Sequence, residues 1–201
     1  MNERVRSQAR AIIFGQIERE FESLLRKMEC LEHREFQDRV LERGGADFCE
    51  PYQDNNDSSK NLNVHEKVLL YCRRYFRMHY DSSYKVFEDF LGACASFNPL
   101  LIDFGCGPGT SGIAFRDFMG SGDFSYVGID RSSAMCQKAQ EFAGTCDIRS
   151  MSFYEHADEF CDAIGENAAC DTVIINLCFV LAPVTFRGDI EGLFRIMGCV
   201  L

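Results

Sequence analysis

The spacing of apolar side chains divides the chain into two unlike halves. Over residues 3–43, Ile13, Ile17, Phe21, Leu24, Met28 and Leu31 recur every three or four positions. This predicts one long helix, open to interruption, with a single apolar stripe. Its other faces alternate charge, as in Glu18–Arg19–Glu20–Glu22–Arg26–Lys27. That pattern reads as solvated i,i+4 pairs, because a coiled-coil seam needs roughly three or four heptads and this one lasts about two. Gly44–Gly45 ends the helix. Residues 46–63, with Pro51 and the run Asp54–Ser59, read as a polar loop: a connector, or the hinge of a lid that responds to substrate. Helical spacing resumes over Val64–Tyr80 and Ser82–Ala95, with Asn63 and Glu66 placed as a capping box.

From Leu100 the period changes. Apolar runs at Leu100–Phe104, Tyr126–Asp130, within Ile148–Tyr154 and at Asp171–Leu177 read as strands. Between them, Thr110–Met119, Ser132–Ala143 and Ala157–Ile164 read as helices, and Arg187–Met197 reads as another before a strand start at Cys199–Leu201. Strands alternating with short helices predict an α/β fold with a mostly parallel sheet covered on both faces. The expected organisation is an N-terminal helical region over 1–95 and an α/β core over 96–201.

Charge narrows the partners. The net charge is −10, which argues against a surface built for nucleic acid or anionic membrane. Residues 1–95 carry 17 acids and 15 bases, and 96–201 carry 14 acids and 6 bases, so a polyanion-binding surface belongs in the first half. The one basic cluster, Tyr71–Arg77, interleaves arginines with aromatics and gives weak support for RNA. The plainer reading packs Tyr71 and Tyr75 inward and leaves the arginines in water. The 11 cysteines include no CxxC pair. This fits free thiols in a reducing, cytoplasmic setting. Cys30, His33, Cys49, His65 and Cys72 match no common zinc spacing, so no metal is expected. The longest apolar run, Thr172–Pro183, is far short of the ~20 residues a membrane span requires.

The candidate chemistry sits in Leu100–Thr110, LLIDFGCGPGT. An apolar strand ends in Asp103, and three alternating glycines lead into a helix. Such a turn lets the backbone approach a ligand closely and adds free N–H donors at the helix start. Gly107–Gly112 satisfies the dinucleotide pattern GxGxxG. An acid at the strand end, however, repels a diphosphate and suits an ammonium or sulfonium cation. That favours S-adenosylmethionine over NAD.

Asp103-Phe104-Gly105-Cys106-Gly107-Pro108-Gly109-Thr110 resembles the first motif of class I S-adenosylmethionine-dependent methyltransferases. Gly128-Ile129-Asp130-Arg131-Ser132-Ser133-Ala134-Met135, followed by Ala139, is similar to the second, with Asp130 placed 21 residues past Gly109. The resemblance covers about residues 84–183 and implies a Rossmann-like fold. It also implies a cofactor pocket made by Asp103, Gly105, Cys106, Gly107, Gly109, Asp130, Arg131, Met135 and Asn176. In that pocket the glycines line the methionine and ribose, Asp103 orients the amino group, and Asp130 takes both ribose hydroxyls. The adenine-contacting acid is Glu155 or Asp158, with His156 beside them.

Asn176–Phe179 lacks the two prolines of amino-methylating enzymes, and Cys178 lacks the Pro-Cys context of a C5-methylating nucleophile. No general base is legible, because methyl transfer from a sulfonium can rest on proximity. A class I core ordinarily has seven strands; four and the start of a fifth are readable here. The expected reading is therefore a core incomplete at its C-terminal strands: a shortened protein, a fragment, or a subunit completed at an open sheet edge by another copy or a partner. The leading expectation is methyl transfer to an unidentified small molecule, protein or RNA, with the N-terminal helices, Tyr84 among them, closing over the site. The competing one is a non-catalytic methyltransferase-like module.

Overall fold

The computed structural model describes residues 8–91, 98–120, 122–148, 150–164, 170, 172–177 and 198. The helix expected at 187–197, the strand start at 199–201, Cys178 and Phe179 lie outside them. The elements run α1 (Gln8–Leu25), α2 (Arg34–Val40), α3 (Val64–Leu91), β1 (Pro99–Phe104), α4 (Thr110–Met119), β2 (Ser125–Ile129), α5 (Ser133–Thr145), β3 (Met151–Tyr154), α6 (Ala157–Ile164) and β4 (Thr172–Asn176).

The four strands are all parallel, in the order β3-β2-β1-β4. The chain winds outward from β1 to β3, then returns to place β4 on the other side of β1. That reversal opens a crevice at the carboxyl ends of β1 and β4, where ligands of open α/β sheets bind. Side chains alternate between faces, as the period of two requires. Leu100, Ile102 and Phe104 pack with Val127, Ile129 and Phe160 under α6. Leu101 and Tyr126 face the opposite way, into a larger core shared by α1, α3, α4 and α5. Asp103 has the parity of Leu101 and therefore points toward α4.

The expected single helix over 3–43 is broken. After Leu25 the chain turns through Met28 (φ −146°), makes a short 3-10 turn at Glu29–Glu32, and resumes as α2. The turn folds the stripe back on itself, so that Leu31, Val40 and Leu41 join the core at 0% exposure. Conversely, the two helices expected over 64–95 are one continuous helix, Val64–Leu91. Tertiary bonds hold it through Asp81–Ser83, the polar stretch that suggested a break. Arg10 pairs with Asp81 at 2.9 Å, Tyr80 Oη donates to Asp117 Oδ2 at 2.6 Å, and Ser83 Oγ lies 3.2 Å from Ser111 Oγ. The capping box forms as expected: Glu66 N donates to Asn63 Oδ1, and Asn63 N to Glu66 Oε2, both at 2.9 Å.

The 46–63 segment is tied down. Tyr52 and Leu62 exchange backbone hydrogen bonds at 3.0 Å, and Asp54 accepts from the amides of Asn56 and Asp57. Lys67, only 4% exposed, donates to the carbonyls of Asp47 (2.7 Å) and Glu50 (3.3 Å).

Candidate functional site

β1 delivers Asp103 to the crevice, and the next residues turn sharply. Gly105, Gly107 and Gly109 have φ of 73°, 53° and 71°, a left-handed conformation that strains any residue with a Cβ. The loop is pinned to the end of β2, because Gly105 N and Cys106 N both donate to Ile129 O. A Cβ added at Gly107 would meet nothing within 4 Å, whereas at Gly109 it would press on Ala139 at 3.1 Å. Gly107 therefore faces open space and Gly109 faces the protein. Thr110 begins α4, is 4% exposed, and its Oγ1 has no hydrogen-bond partner. A backbone ledge before open space, with an unmatched hydroxyl at a helix start, suits a polar ligand with several acceptors.

Asp103 is 1% exposed. Tyr126 Oη donates to its Oδ2 and Asn176 Nδ2 to its Oδ1, each at 2.7 Å. Burial pushes its pKa up to about 6, against the lowering effect of those two bonds and of Ser111; the charge of Asp130 adds to the rise. Asp103 thus places a titratable charge beneath the loop, its oxygens held from the neighbouring strands. Asn176 stands opposite it in register on β4. Gly128, opposite on β2, has no room for a side chain: a Cβ there would lie 2.8 Å from Cys106 Sγ and 2.7 Å from Phe153.

Asp130 follows β2. Its Oδ2 accepts from Gly107 N and its Oδ1 from Ser132 N, both at 2.9 Å. The carboxylate is thereby fixed at the lip of the glycine loop. Ser132 caps α5 by accepting from Met135 N at 3.3 Å, and its hydroxyl donates to Phe48 O at 2.6 Å. Cys49 Sγ donates to Arg131 O, and Arg131 pairs with Asp47 at 3.3 Å. Residues 47–50 therefore strap the loop that holds Asp130.

Of the expected pocket residues, the fold gathers Asp103, Gly105, Cys106, Gly107, Gly109, Asp130 and Asn176 at the carboxyl ends of β1, β2 and β4. Arg131 is exposed and turned to Asp47, and Met135 is buried in the core at 4% exposure. Cys106 is a buried thiol whose pKa burial drives well up. Glu155 and His156 lie exposed just past β3, and Asp158 in the first turn of α6. Tyr84 packs on Tyr80 and on Phe118, near the far end of α4 from the loop. Among the described residues no three His, Cys, Asp or Glu side chains converge as a metal site. Arg73 and Arg77 are exposed to solvent, as the plainer reading expects; Arg73 also pairs with Glu18 at 3.0 Å, and the half-buried Arg74 with Asp38 at 3.3 Å.

Sequence reasoning missed Tyr126, Ser111, Ser83 and Phe48. It paired Tyr71 with Tyr75 but missed the continuation of that row on α3 to His79; the three rings lie 5.2–5.8 Å apart. The i,i+4 spacing of Tyr71, Tyr75, His79 and Ser83 was the available signal.

Residues 101–197 match the family model of a methyltransferase domain. No curated protein matches the sequence. Three solved structures are similar. One is described as an S-adenosyl-L-methionine-dependent methyltransferase of Methanococcus maripaludis, with 17% identity over 62% of this chain and 53% of that chain, and a TM-score of 0.42. A protein-L-isoaspartate O-methyltransferase shares 11% identity over 70% of this chain and 46% of that chain, at TM-score 0.35. A structure described as an O-methyltransferase of Klebsiella pneumoniae shares 13% over 88% of this chain and 81% of that chain, at TM-score 0.40. The chain spans about half the length of the first two. The family match and the strand order, not these distant likenesses, carry the assignment. Residues 101–197, just under half of the chain, are similar to a methyltransferase domain, and the parallel sheet has the Rossmann-like architecture of class I.

Proposed function

We propose that the protein is an S-adenosylmethionine-dependent methyltransferase that uses the crevice between β1, β2 and β4 as its cofactor pocket. One observation supports this above the others: Gly107 N–H and Ser132 N–H hold the Asp130 carboxylate at the lip of the glycine loop. A carboxylate so placed suits the two hydroxyls of a ribose, and the left-handed glycines let a ligand lie against the backbone. Bound there, the cofactor supplies a methyl group made electrophilic by its sulfonium. Asp103 adds negative charge beneath the cationic amino-acid end when ionised, transmitted through Asn176 and Ser111 rather than by contact. The rest is positioning: two reactants held in line need little further help.

The acceptor is proposed to be a small molecule or a protein. Arg73 and Arg74 each pair with a carboxylate, which together with the net charge of −10 weakens the RNA reading. The eight described cysteines are free thiols, which accords with a cytoplasmic setting, and no described helix is long and apolar enough to cross a membrane.

Calorimetry with S-adenosylhomocysteine tests the cofactor reading. Binding is expected, and Asp130→Ala should weaken it at least tenfold; absence of binding, or parental affinity in the variant, removes the reading. Transfer of a tritiated methyl group into cell extract tests turnover. Binding without a labelled acceptor would instead favour a non-catalytic module.

A further inference from the structure

Lys67 is a buried cation that the proposed chemistry does not use. It lies near the start of α3 and is 4% exposed. Its ammonium donates to Asp47 O at 2.7 Å and to Glu50 O at 3.3 Å, and stands 5.7 Å from the centre of the Phe48 ring. A buried ammonium is costly unless hydrogen-bonded, and these three partners all belong to residues 47–50. Phe48 also packs on Tyr71 of α3, with ring centroids 5.0 Å apart. α3 therefore grips this short segment through a buried charge and an aromatic contact. The same four residues grip the Asp130 loop. Phe48 O accepts from Ser132 Oγ at 2.6 Å, Cys49 Sγ donates to Arg131 O, and Asp47 pairs with Arg131 at 3.3 Å. Two of these contacts are weak, because the ion pair is half exposed on both sides and a thiol is a poor donor. The seam with the Asp130 loop should part before the seam with α3.

Building on the proposed function, we infer that the 47–50 strap positions Asp130 for the cofactor's ribose, with Phe48 as the positioning residue and Lys67 as its anchor. A ribose diol needs the Asp130 carboxylate in one orientation, which Gly107 N–H and Ser132 N–H set. Ser132 Oγ gives its one proton to Phe48 O and accepts from Met135 N. Phe48 O thereby fixes Ser132, and through it the amide that holds Asp130 Oδ1 at 2.9 Å. The ribose and the strap stabilise the same conformation of residues 130–132, so each favours the other, and linkage makes the effect reciprocal. A seated strap tightens the ribose, and a bound ribose keeps the strap shut. Opening at the weaker seam frees Ser132 and releases the ribose while α3 keeps its hold on the strap.

The test uses S-adenosylhomocysteine and its 2′-deoxyribose analogue on the whole chain. Lys67→Met removes the anchor and keeps the apolar stem. By calorimetry it should weaken S-adenosylhomocysteine about tenfold and the deoxy analogue by no more than about twofold, a coupling of ordinary size. A merely structural role for Lys67 would weaken both ligands equally. In the parent protein, saturating S-adenosylhomocysteine should slow amide exchange over 47–50 and the reaction of Cys49 with a disulfide reagent about tenfold, by the same reciprocal coupling. The deoxy analogue at equal saturation should slow them less. Equal loss of both ligands, loss of neither, or strap exchange that ignores the ligand overturns the inference and leaves the cofactor reading standing. Failure of the parent to bind either ligand removes both. The exchange arm needs no folded variant.

Discussion

Tyr126 reaches from near the start of β2 to donate its phenol proton to Asp103 near the end of β1, 2.7 Å away, and both residues are almost wholly buried. Removing that donor leaves a buried carboxylate short of a partner. A hydrogen bond to a charged group is worth about 1.5–3 kcal/mol and a neutral one about 0.5–1.5. Tyr126→Phe should therefore destabilise the fold by about 2 kcal/mol at pH 8, where Asp103 is ionised, and by roughly half that at pH 4.5. Urea denaturation at the two pH values measures the difference, and an equal loss at both would show that the bond does not sense the charge.

Asp103 also sets a pH dependence whose sign follows from burial. Its folded pKa is raised to about 6 from an ordinary 3.8, so the folded state holds the proton more tightly than the unfolded chain. The stability it contributes is complete below about pH 4 and is lost as pH rises through 6. Asp103→Asn keeps the shape and removes the titration. The stability of the parent relative to this variant should fall between pH 4 and 7 and be flat above. A difference that rises with pH would contradict the burial of the carboxyl group.

Among the described residues, the helices and strands after Leu100 were legible because each has its own signal. Apolar runs end at glycines, Ser132 caps α5, and the bounds expected for Thr110–Met119 and Ala157–Ile164 are the observed ones. The first half was harder, since its boundaries are set by distant contacts. Nothing near Met28 announces a turn, and nothing in Asp81–Ser83 announces a helix held by Arg10, Asp117 and Ser111. The same holds for the site. The glycines, Asp130 and Asn176 at its strand end carry local signals and were found, but Tyr126 and Ser111 reach Asp103 from β2 and α4 with no local pattern to announce them.

Two glycines in helices should respond oppositely to alanine. Alanine is a better helix former than glycine by about 1 kcal/mol. At Gly144 a Cβ meets nothing within 4 Å, so Gly144→Ala should stabilise by a few tenths to about 1 kcal/mol. At Gly112 it would lie 2.7 Å from the Tyr126 ring and collide with Met151. Overpacking costs about 1–3 kcal/mol, enough to reverse the propensity gain. Gly112→Ala should lower the melting temperature, and because Tyr126 must move, it should also disturb the pH dependence of Asp103. Stabilisation by both changes would mean that α4 lies farther from β2 than the contacts require.

Ser132 joins the two halves of the site, and its removal should loosen a strap before it unfolds the protein. Its Oγ caps α5 through Met135 N and donates to Phe48 O at 2.6 Å. Loss of the cap alone costs about 0.5–2 kcal/mol. Loss of the bond to Phe48 frees residues 47–50, which remain tied by Lys67 and by the ion pair of Asp47 with Arg131. Cys49 is the reporter, since its thiol is exposed and bonded to Arg131 O. In Ser132→Ala, amide exchange over 47–50 and the reaction of Cys49 with a disulfide reagent should both speed up several-fold, while exchange in β1 and α4 stays unchanged. If exchange instead rises equally across β1, α4 and the strap, Ser132 supports the whole core and the strap is not a separately opening unit.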